Sequence, residues 1–235
     1  MSMHKERGAA VVLALIAVTL MMALGSALTL LSTSETLVTA NQRAGVEAFY
    51  AADAALERAL VDLHAVLDWN PLLAGSERST FVDGSPAGVR TLADGSTIDL
   101  AHIVNMANCQ KTAPCSAADL SVVTANRAWG ANNPRWQVYA HGPMSDAAGN
   151  GSGRSSFYGV VLVGDDPSEN DGDPSRDGDA IAGVPNPGVG LVMLRAEAFG
   201  PRSAHRAIEA TVARIDTALP ATAPGVRVIR WWEAE

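Results

Sequence analysis

Residues 5–31 read KERGAAVVLALIAVTLMMALGSALTLL, a short charged leader followed by an apolar run that begins at residue 9. No charged side chain occurs between Arg7 and Glu35. At about 1.5 Å per residue, a helix over residues 9–31 would be roughly 35 Å long, enough to cross the hydrocarbon core of a bilayer. The sequence therefore predicts a membrane-spanning helix close to the N-terminus.

The ends of this apolar run indicate which kind of membrane segment it is. A cleaved secretory signal has an apolar region of about 7–15 residues followed by a cleavage site of small residues. Here the run is longer, and Gly8 instead stands between the charged leader and the apolar residues. A peptidase on the cytoplasmic face could cut there and leave the apolar helix on the mature protein. The basic residues of the leader predict a cytoplasmic N-terminus and a single membrane pass.

Three short stretches carry a resemblance to a known family: ERGAAVVLAL at residues 6–15, NQR at 41–43 and AFYAADAAL at 48–56. Their order and spacing resemble the N-terminal region of PilX-type minor pilins, whose leader is of the prepilin type. Those proteins carry an "RGAALVVAL" opening, a "GNxR" stretch and an "AFxAAEAAL" stretch. The resemblance covers about the first 60 residues.

This resemblance implies a processing route and a function. Gly8 would precede the bond cut by the prepilin peptidase, and Ala9 would become the N-methylated mature terminus. The protein would lie in the inner membrane before assembly and then in the pilus at the cell surface, with major and minor pilins as partners. Its role would be filament initiation, a tip complex or adhesion, without enzymatic activity.

One position departs from the pattern of major pilins. Most of them have Glu as the fifth residue of the mature chain, where it neutralises the amino terminus of a neighbouring subunit; here that residue is Leu13. A buried amine without a carboxylate partner is costly. The departure favours a rare subunit at or near a filament tip. Three alternatives stay open: a tip-type minor pseudopilin of type II secretion, a single-span membrane-anchored periplasmic binding protein, and a membrane-anchored enzyme, which would need a clustered set of catalytic side chains.

Composition limits the other function classes. The formal net charge of -8 argues against nucleic-acid binding, which requires a basic surface. No Gly-x-Ser-x-Gly, phosphate-binding or His-Glu-x-x-His motif occurs, and the five histidines are scattered. We interpret His102 and His141 as ordinary surface or turn residues. Composition therefore gives no indication of an enzyme.

The chain is predicted to have four parts: a leader (1–8), a membrane or filament-core helix (9–31), an amphipathic extension of that helix (32–69) and a β-rich head (70–235). Apolar residues recur at helical spacing through residue 67, and Asn70-Pro71 is predicted to end the helix because proline disfavours helix in the residue before it.

Within the head, alternating or strongly apolar stretches predict strands at residues 135–140, 156–163, 190–199, 204–214 and 226–233. The short turn between the third and fourth of these predicts an antiparallel hairpin. Residues 97–100 are predicted as a short strand that leads to residues 103–106. The predicted fold is α+β, a pilin-like lollipop in which the long helix packs on an antiparallel sheet.

Residues 165–179, DDPSENDGDPSRDGD, hold seven carboxylates offset by one arginine. Hard cations such as Ca²⁺ bind six to eight oxygen ligands at closely spaced positions. Two Asp-x-Asp pairs make Asp171, Asp173, Asp177 and Asp179 the predicted calcium ligands, with a structural role in ordering the loop between two strands. The alternative is a solvated acidic loop without metal.

Two cysteines, Cys109 and Cys115, occur in the stretch CQKTAPC. In an oxidising periplasm, this pair is predicted to form one disulfide that closes a short loop. Two free thiols remain the alternative, and a metal site would need further ligands.

Overall fold

The computed structural model describes residues 3–120, 135–147, 155–169, 171–178, 186–215 and 225–234. Helix α1 (Met3–Leu63) has 61 residues and is followed by an antiparallel sheet, so the predicted α+β fold class is confirmed. Residues 1–43 and 44–235 form two compact units, and the second contains the sheet together with the last 20 residues of α1.

The end of α1 differs from the prediction. The helix stops at Leu63, and a second short helix, α2 (Asn70–Leu73), starts where the sequence predicted the end. Proline is tolerated in the first turn of a helix, where its missing N–H needs no partner, so Pro71 begins a helix instead of ending one. The turn between the two helices buries Trp69, whereas Leu67, predicted on the apolar helix face, is exposed.

The other elements follow in chain order: β1 (Val89–Thr91), β2 (Thr97–Asp99), α3 (Leu100–Cys109), β3 (Gln137–Pro143), β4 (Tyr158–Asp165), β5 (Leu191–Gly200), β6 (Ala204–Ile215) and β7 (Gly225–Ala234). Strands β1 and β2 form a hairpin, and the remaining strands form a five-stranded antiparallel sheet in sequence order. The five predicted strands of the head and the hairpin at residues 200–203 are confirmed.

Residues 103–106, to which the predicted short strand leads, lie in helix α3. The side chain of Asp99 accepts a hydrogen bond from the N–H of Ala101 at 2.9 Å and so caps the start of this helix. Leu100 and Ile103, three residues apart, are buried on the same helical face. Of the predicted strand at residues 97–100, residues 97–99 form β2 and Leu100 begins α3.

Both faces of the sheet are covered at β3 and β4, whereas β7 is largely exposed. One face packs against residues 44–63 of α1, whose buried side chains are mostly alanines: Ala48, Ala51, Ala52, Ala55, Leu56, Ala59, Leu60 and Leu63. Helix α3 covers the other face of β3 and β4. Strand β4 is buried along its whole length, which explains its continuous apolar sequence.

Candidate functional site

The first candidate site is the apolar part of α1 at residues 9–31. Its large apolar side chains are exposed in the isolated chain, with Leu13 67% and Met21 72% exposed. The helix is long and apolar enough to cross a membrane, judged by length and composition, and it lies near the N-terminus. Such an apolar surface indicates burial in lipid or among other apolar helices. Gly8 and Ala9 lie in α1, and cleavage between them stays a prediction.

The second candidate site lies in the acidic loop between β4 and β5. Asp165, the last residue of β4, comes together with Glu169 and Asp171, and one carboxylate oxygen from each lies within 4.8 Å of the others. Asp165 is 0% exposed and Glu169 is 1% exposed. Two buried carboxyl groups and one half-buried carboxyl group therefore converge at the end of a central strand.

Main-chain and amide groups hold Glu169 in place. Its Oε1 atom accepts hydrogen bonds from the N–H of Gly178 at 2.6 Å and from the side-chain amide of Asn186 at 3.0 Å. Its buried Oε2 atom accepts no hydrogen bond from a donor within the described ranges. Burial raises the pKa of Glu169, and the nearby Asp171 raises it further, against the hydrogen bonds that lower it. The site thus contains a buried carboxylate oxygen that has no hydrogen-bond donor among the described residues, on a side chain that also interacts with Asp165.

Two glycines let the loop fold closely around these carboxyl groups. A Cβ atom at Gly178 would lie 2.2 Å from Oδ2 of Asp171, and one at Gly188 would lie 2.6 Å from the main-chain nitrogen of Glu169. Any other residue would displace the side chain of Asp171 at position 178 and the main chain of Glu169 at position 188. The convergence of the carboxyl groups therefore depends on the absence of side chains at these two positions.

The predicted calcium ligands have different surroundings. Asp171 lies in the cluster described above, whereas Asp173 is exposed and accepts hydrogen bonds from the N–H and hydroxyl of Ser175. Asp177 accepts the N–H of Gly190 at 2.7 Å and lies 3.5 Å from Nη2 of Arg214. Asp179 lies outside the described residues. Calcium binding by this set stays a prediction.

Sequence reasoning missed Asp165 and Glu169 as members of one site. The burial of Asp165 could have been predicted from its position directly after the apolar stretch VVLVG, because the end of a buried strand lies inside the protein. Nothing comparable marks Glu169, because its burial depends on Gly178 and Asn186, which follow it by 9 and 17 positions.

The cysteine prediction is matched by the structure. Cys109, the last residue of α3, forms a disulfide with Cys115, with their Cα atoms 6.0 Å apart. A loop this short is expected to stabilise the head by about 2 kcal/mol, since the bond removes little entropy from the unfolded chain. The disulfide thus fixes the segment that follows α3.

The interpretation of His141 as a surface or turn residue is wrong, although His102 is exposed on α3. His141 lies in β3 with 0% exposure, and its Nδ1 atom is 3.1 Å from the hydroxyl of Tyr158. Burial lowers its pKa to about 4, helped by the positive charges of Arg90 and Arg78 and opposed by Asp83. The imidazole is therefore neutral in the folded head at neutral pH.

We expect acidification from pH 7 to about pH 4 to destabilise the head by about 3 kcal/mol through His141. The unfolded chain, with an ordinary histidine pKa near 6.5, binds the proton more readily than the folded chain does. This contribution is therefore intact above about pH 6.5 and decreases as the pH falls towards 4. Urea unfolding of the full chain in detergent at several pH values measures it.

The matched variants for this measurement are His141→Gln and His102→Gln. The first should flatten the dependence of the unfolding free energy on pH between 6.5 and 4, whereas the second should leave it unchanged because His102 is exposed. An equally steep dependence in His141→Gln and the wild type would contradict the assignment.

Comparison with known proteins bears on the N-terminal part of the chain. Residues 7–57 match the family model described as PilX N-terminal. The resemblance to PilX-type pilins is thereby confirmed for this segment, which covers the apolar run and most of the helix that continues into the head. No curated protein and no solved structure matches the chain.

Proposed function

We propose, from the PilX N-terminal segment at residues 7–57, that this chain is a minor pilin of a type IV pilus. Its role would be to start the filament, to complete the tip or to present an adhesive head. The match to the PilX N-terminal family carries the proposal, because it covers the segment through which a pilin would be processed and assembled. The function is one of assembly and needs no active site.

The proposed route begins with a precursor in the inner membrane whose N-terminus is cytoplasmic. The prepilin peptidase cuts after Gly8, and Ala9 becomes the N-methylated terminus. The exposed apolar side chains of residues 9–31 then exchange lipid for the apolar helices of other pilins. Because lipid and pilin helices are both apolar, this exchange depends on close packing between helices.

Leu13 supports a position at or near the tip. In a filament shaft, the Glu at this position of one subunit neutralises the amino terminus of its neighbour. A subunit with Leu13 offers no carboxylate there, and a buried uncompensated amine is costly. Such a subunit is suited to a position where no neighbouring amino terminus needs its carboxylate for neutralisation. The end of a filament is such a position.

The test is the identity of the mature N-terminus, measured by mass spectrometry in cells with and without the prepilin peptidase. We expect an N-methylated Ala9 when the peptidase is present and the uncut precursor when it is absent. An uncut terminus in both strains would overturn the proposal and favour the single-span membrane-anchored periplasmic binding protein.

A tip-type pseudopilin of type II secretion is the second candidate, because it shares the apolar residue at the position of Leu13. Deletion of the gene separates the two. Loss of surface pili with normal protein secretion supports the pilus role, whereas loss of secretion with normal pili supports the pseudopilin role.

A further inference from the structure

The cluster of Asp165, Glu169 and Asp171 concentrates negative charge where water is largely excluded. Buried carboxylates are stable only when paired, protonated or bound to a cation. Among the described residues, no lysine or arginine forms an ion pair with Glu169 or Asp171. The guanidinium of Arg214, on β6, lies 3.5 Å from a carboxylate oxygen of Asp177.

The buried Oε2 atom of Glu169 is a second and independent observation. The other carboxylate oxygen, Oε1, already accepts two hydrogen bonds, so the side chain is anchored in one orientation. The Oε2 atom is buried and has no donor in the described part of the chain, and one carboxylate oxygen of Glu169 lies within 4.8 Å of oxygens of Asp165 and Asp171. A buried carboxylate oxygen without a donor, on a side chain anchored beside two other carboxylates, is an arrangement that favours a cation.

We infer that Asp165, Glu169 and Asp171 bind one divalent cation, Ca²⁺, which fastens the acidic loop to the end of β4. The donors of this cluster are carboxylate oxygens, which calcium prefers over nitrogen or sulfur. Oxygens around one Ca²⁺ lie at most about 5 Å apart, and the three oxygens meet this limit. Water and main-chain carbonyl groups would complete the six to eight ligands.

The site differs from a simple acidic loop in its position. Asp165 belongs to a strand buried on both faces, whereas Glu169 and Asp171 belong to the loop that leads to β5. A cation that bridges them ties the loop to the sheet and neutralises part of the charge of residues 165–179. The role is structural and does not depend on the proposed pilin function.

Calcium binding is measured on the purified full chain in detergent by isothermal titration calorimetry and by thermal unfolding with Ca²⁺ or EDTA. We expect one Ca²⁺ per chain, with a Kd of roughly 0.1 to 1 mM as in other extracellular calcium modules. Calcium at about a hundredfold excess over Kd should raise the Tm by roughly 5 °C.

Three variants test the ligands. Glu169→Gln and Asp171→Asn keep the size of the side chain and remove its charge, and each should weaken Ca²⁺ binding at least about tenfold. Gly178→Ala changes no charge but places a Cβ atom against the carboxylate of Asp171, so it should weaken binding as well. The matched control is Asp173→Asn, which removes the same charge from an exposed side chain of the same loop and should bind Ca²⁺ like the wild type.

Three results would overturn the inference. The first is a wild-type chain that binds no Ca²⁺ and has the same Tm in EDTA. The second is a Glu169→Gln chain that is more stable than the wild type with or without Ca²⁺, which would show that Asp165 and Glu169 share a proton. The third is equal loss of binding in Asp173→Asn and Glu169→Gln, which would place the ion on the exposed carboxylates of the loop.

Discussion

A Gly8→Leu chain is expected to remain uncut and to be missing from filaments. A peptidase that cuts after this residue must approach the main chain closely, and glycine is the residue whose lack of a side chain permits such an approach. The apolar run at residues 9–31 is unchanged in this variant, so insertion into the membrane should be normal. Nearly all of the protein should therefore accumulate in the inner membrane as a precursor that retains the eight leader residues.

Immunoblots of membranes and of sheared filaments measure this distribution, and mass spectrometry of the N-terminus identifies the precursor. Gly25→Leu is the matched control, because Gly25 lies in the same apolar helix and an added Cβ meets no atom within 4 Å. It should be cut and methylated like the wild type. Normal cleavage of Gly8→Leu would place the processing site elsewhere and contradict the proposed route.

Replacement of Arg195 by methionine is expected to destabilise the head by about 3 kcal/mol. The guanidinium lies between two carboxylates, with Nε 2.6 Å from Glu197 on the same strand and Nη1 2.6 Å from Glu209 on β6. Glu197 is 6% exposed, and His205 Nε2 lies 2.8 Å from its other oxygen. Methionine keeps much of the volume of arginine but leaves these carboxylates in a buried environment without their shared cation.

The pKa of Glu197 indicates how this effect depends on pH. Burial alone would raise the pKa, but the hydrogen bonds from His205 and Arg195 and their charges outweigh burial and lower it. The stabilising contribution of Glu197 is therefore present above its unfolded pKa near 4.5 and is lost as the pH falls through the lower folded value. Urea unfolding at pH 7 should show the full loss in Arg195→Met.

Two variants complete this test. Arg206→Met removes the exposed ion pair between Arg206 on β6 and Glu233 on β7, and it should lower the free energy of unfolding by less than about 1 kcal/mol. The double variant Arg195→Met/Glu197→Met should recover part of the loss, because apolar residues can replace a buried ion pair at little cost. If Arg195→Met cost no more than Arg206→Met, the cluster would contribute no more than a surface pair.

Pro71 shows that a rule about one residue can hold although the helix boundary predicted from it is wrong. Pro71 cannot lie inside a helix, and the sequence predicted a helix end there. The same rule permits proline in the first turn, and α2 uses it in that way. In the structure the turn after Leu63 accompanies the burial of Trp69, which is a property of the folded head.

Histidine and carboxylate positions show the same limit for the candidate sites. Alternation predicted a strand at residues 135–140, and the observed strand β3 continues through His141. The main chain of His141 pairs there with the segment at Phe81 and Val82, a contact between residues about 60 positions apart. The Asp-x-Asp pairs predicted calcium ligands among residues that are close in the chain. The folded loop instead brings Asp171 to Asp165 and Glu169, while Asp173 and Asp177 bond to other groups.

The sequence by itself determined the apolar N-terminal helix, the PilX-type segment, the five strands of the main sheet and the cysteine pair. Each of these depends on hydrophobic periodicity or on residues only a few positions apart, so a linear pattern is enough to predict it. Only the tertiary structure decided where α1 ends, which histidine is buried and which carboxylates converge. These features depend on contacts between distant residues, such as the hydrogen bond from the N–H of Asp177 to Asn70, 107 positions earlier.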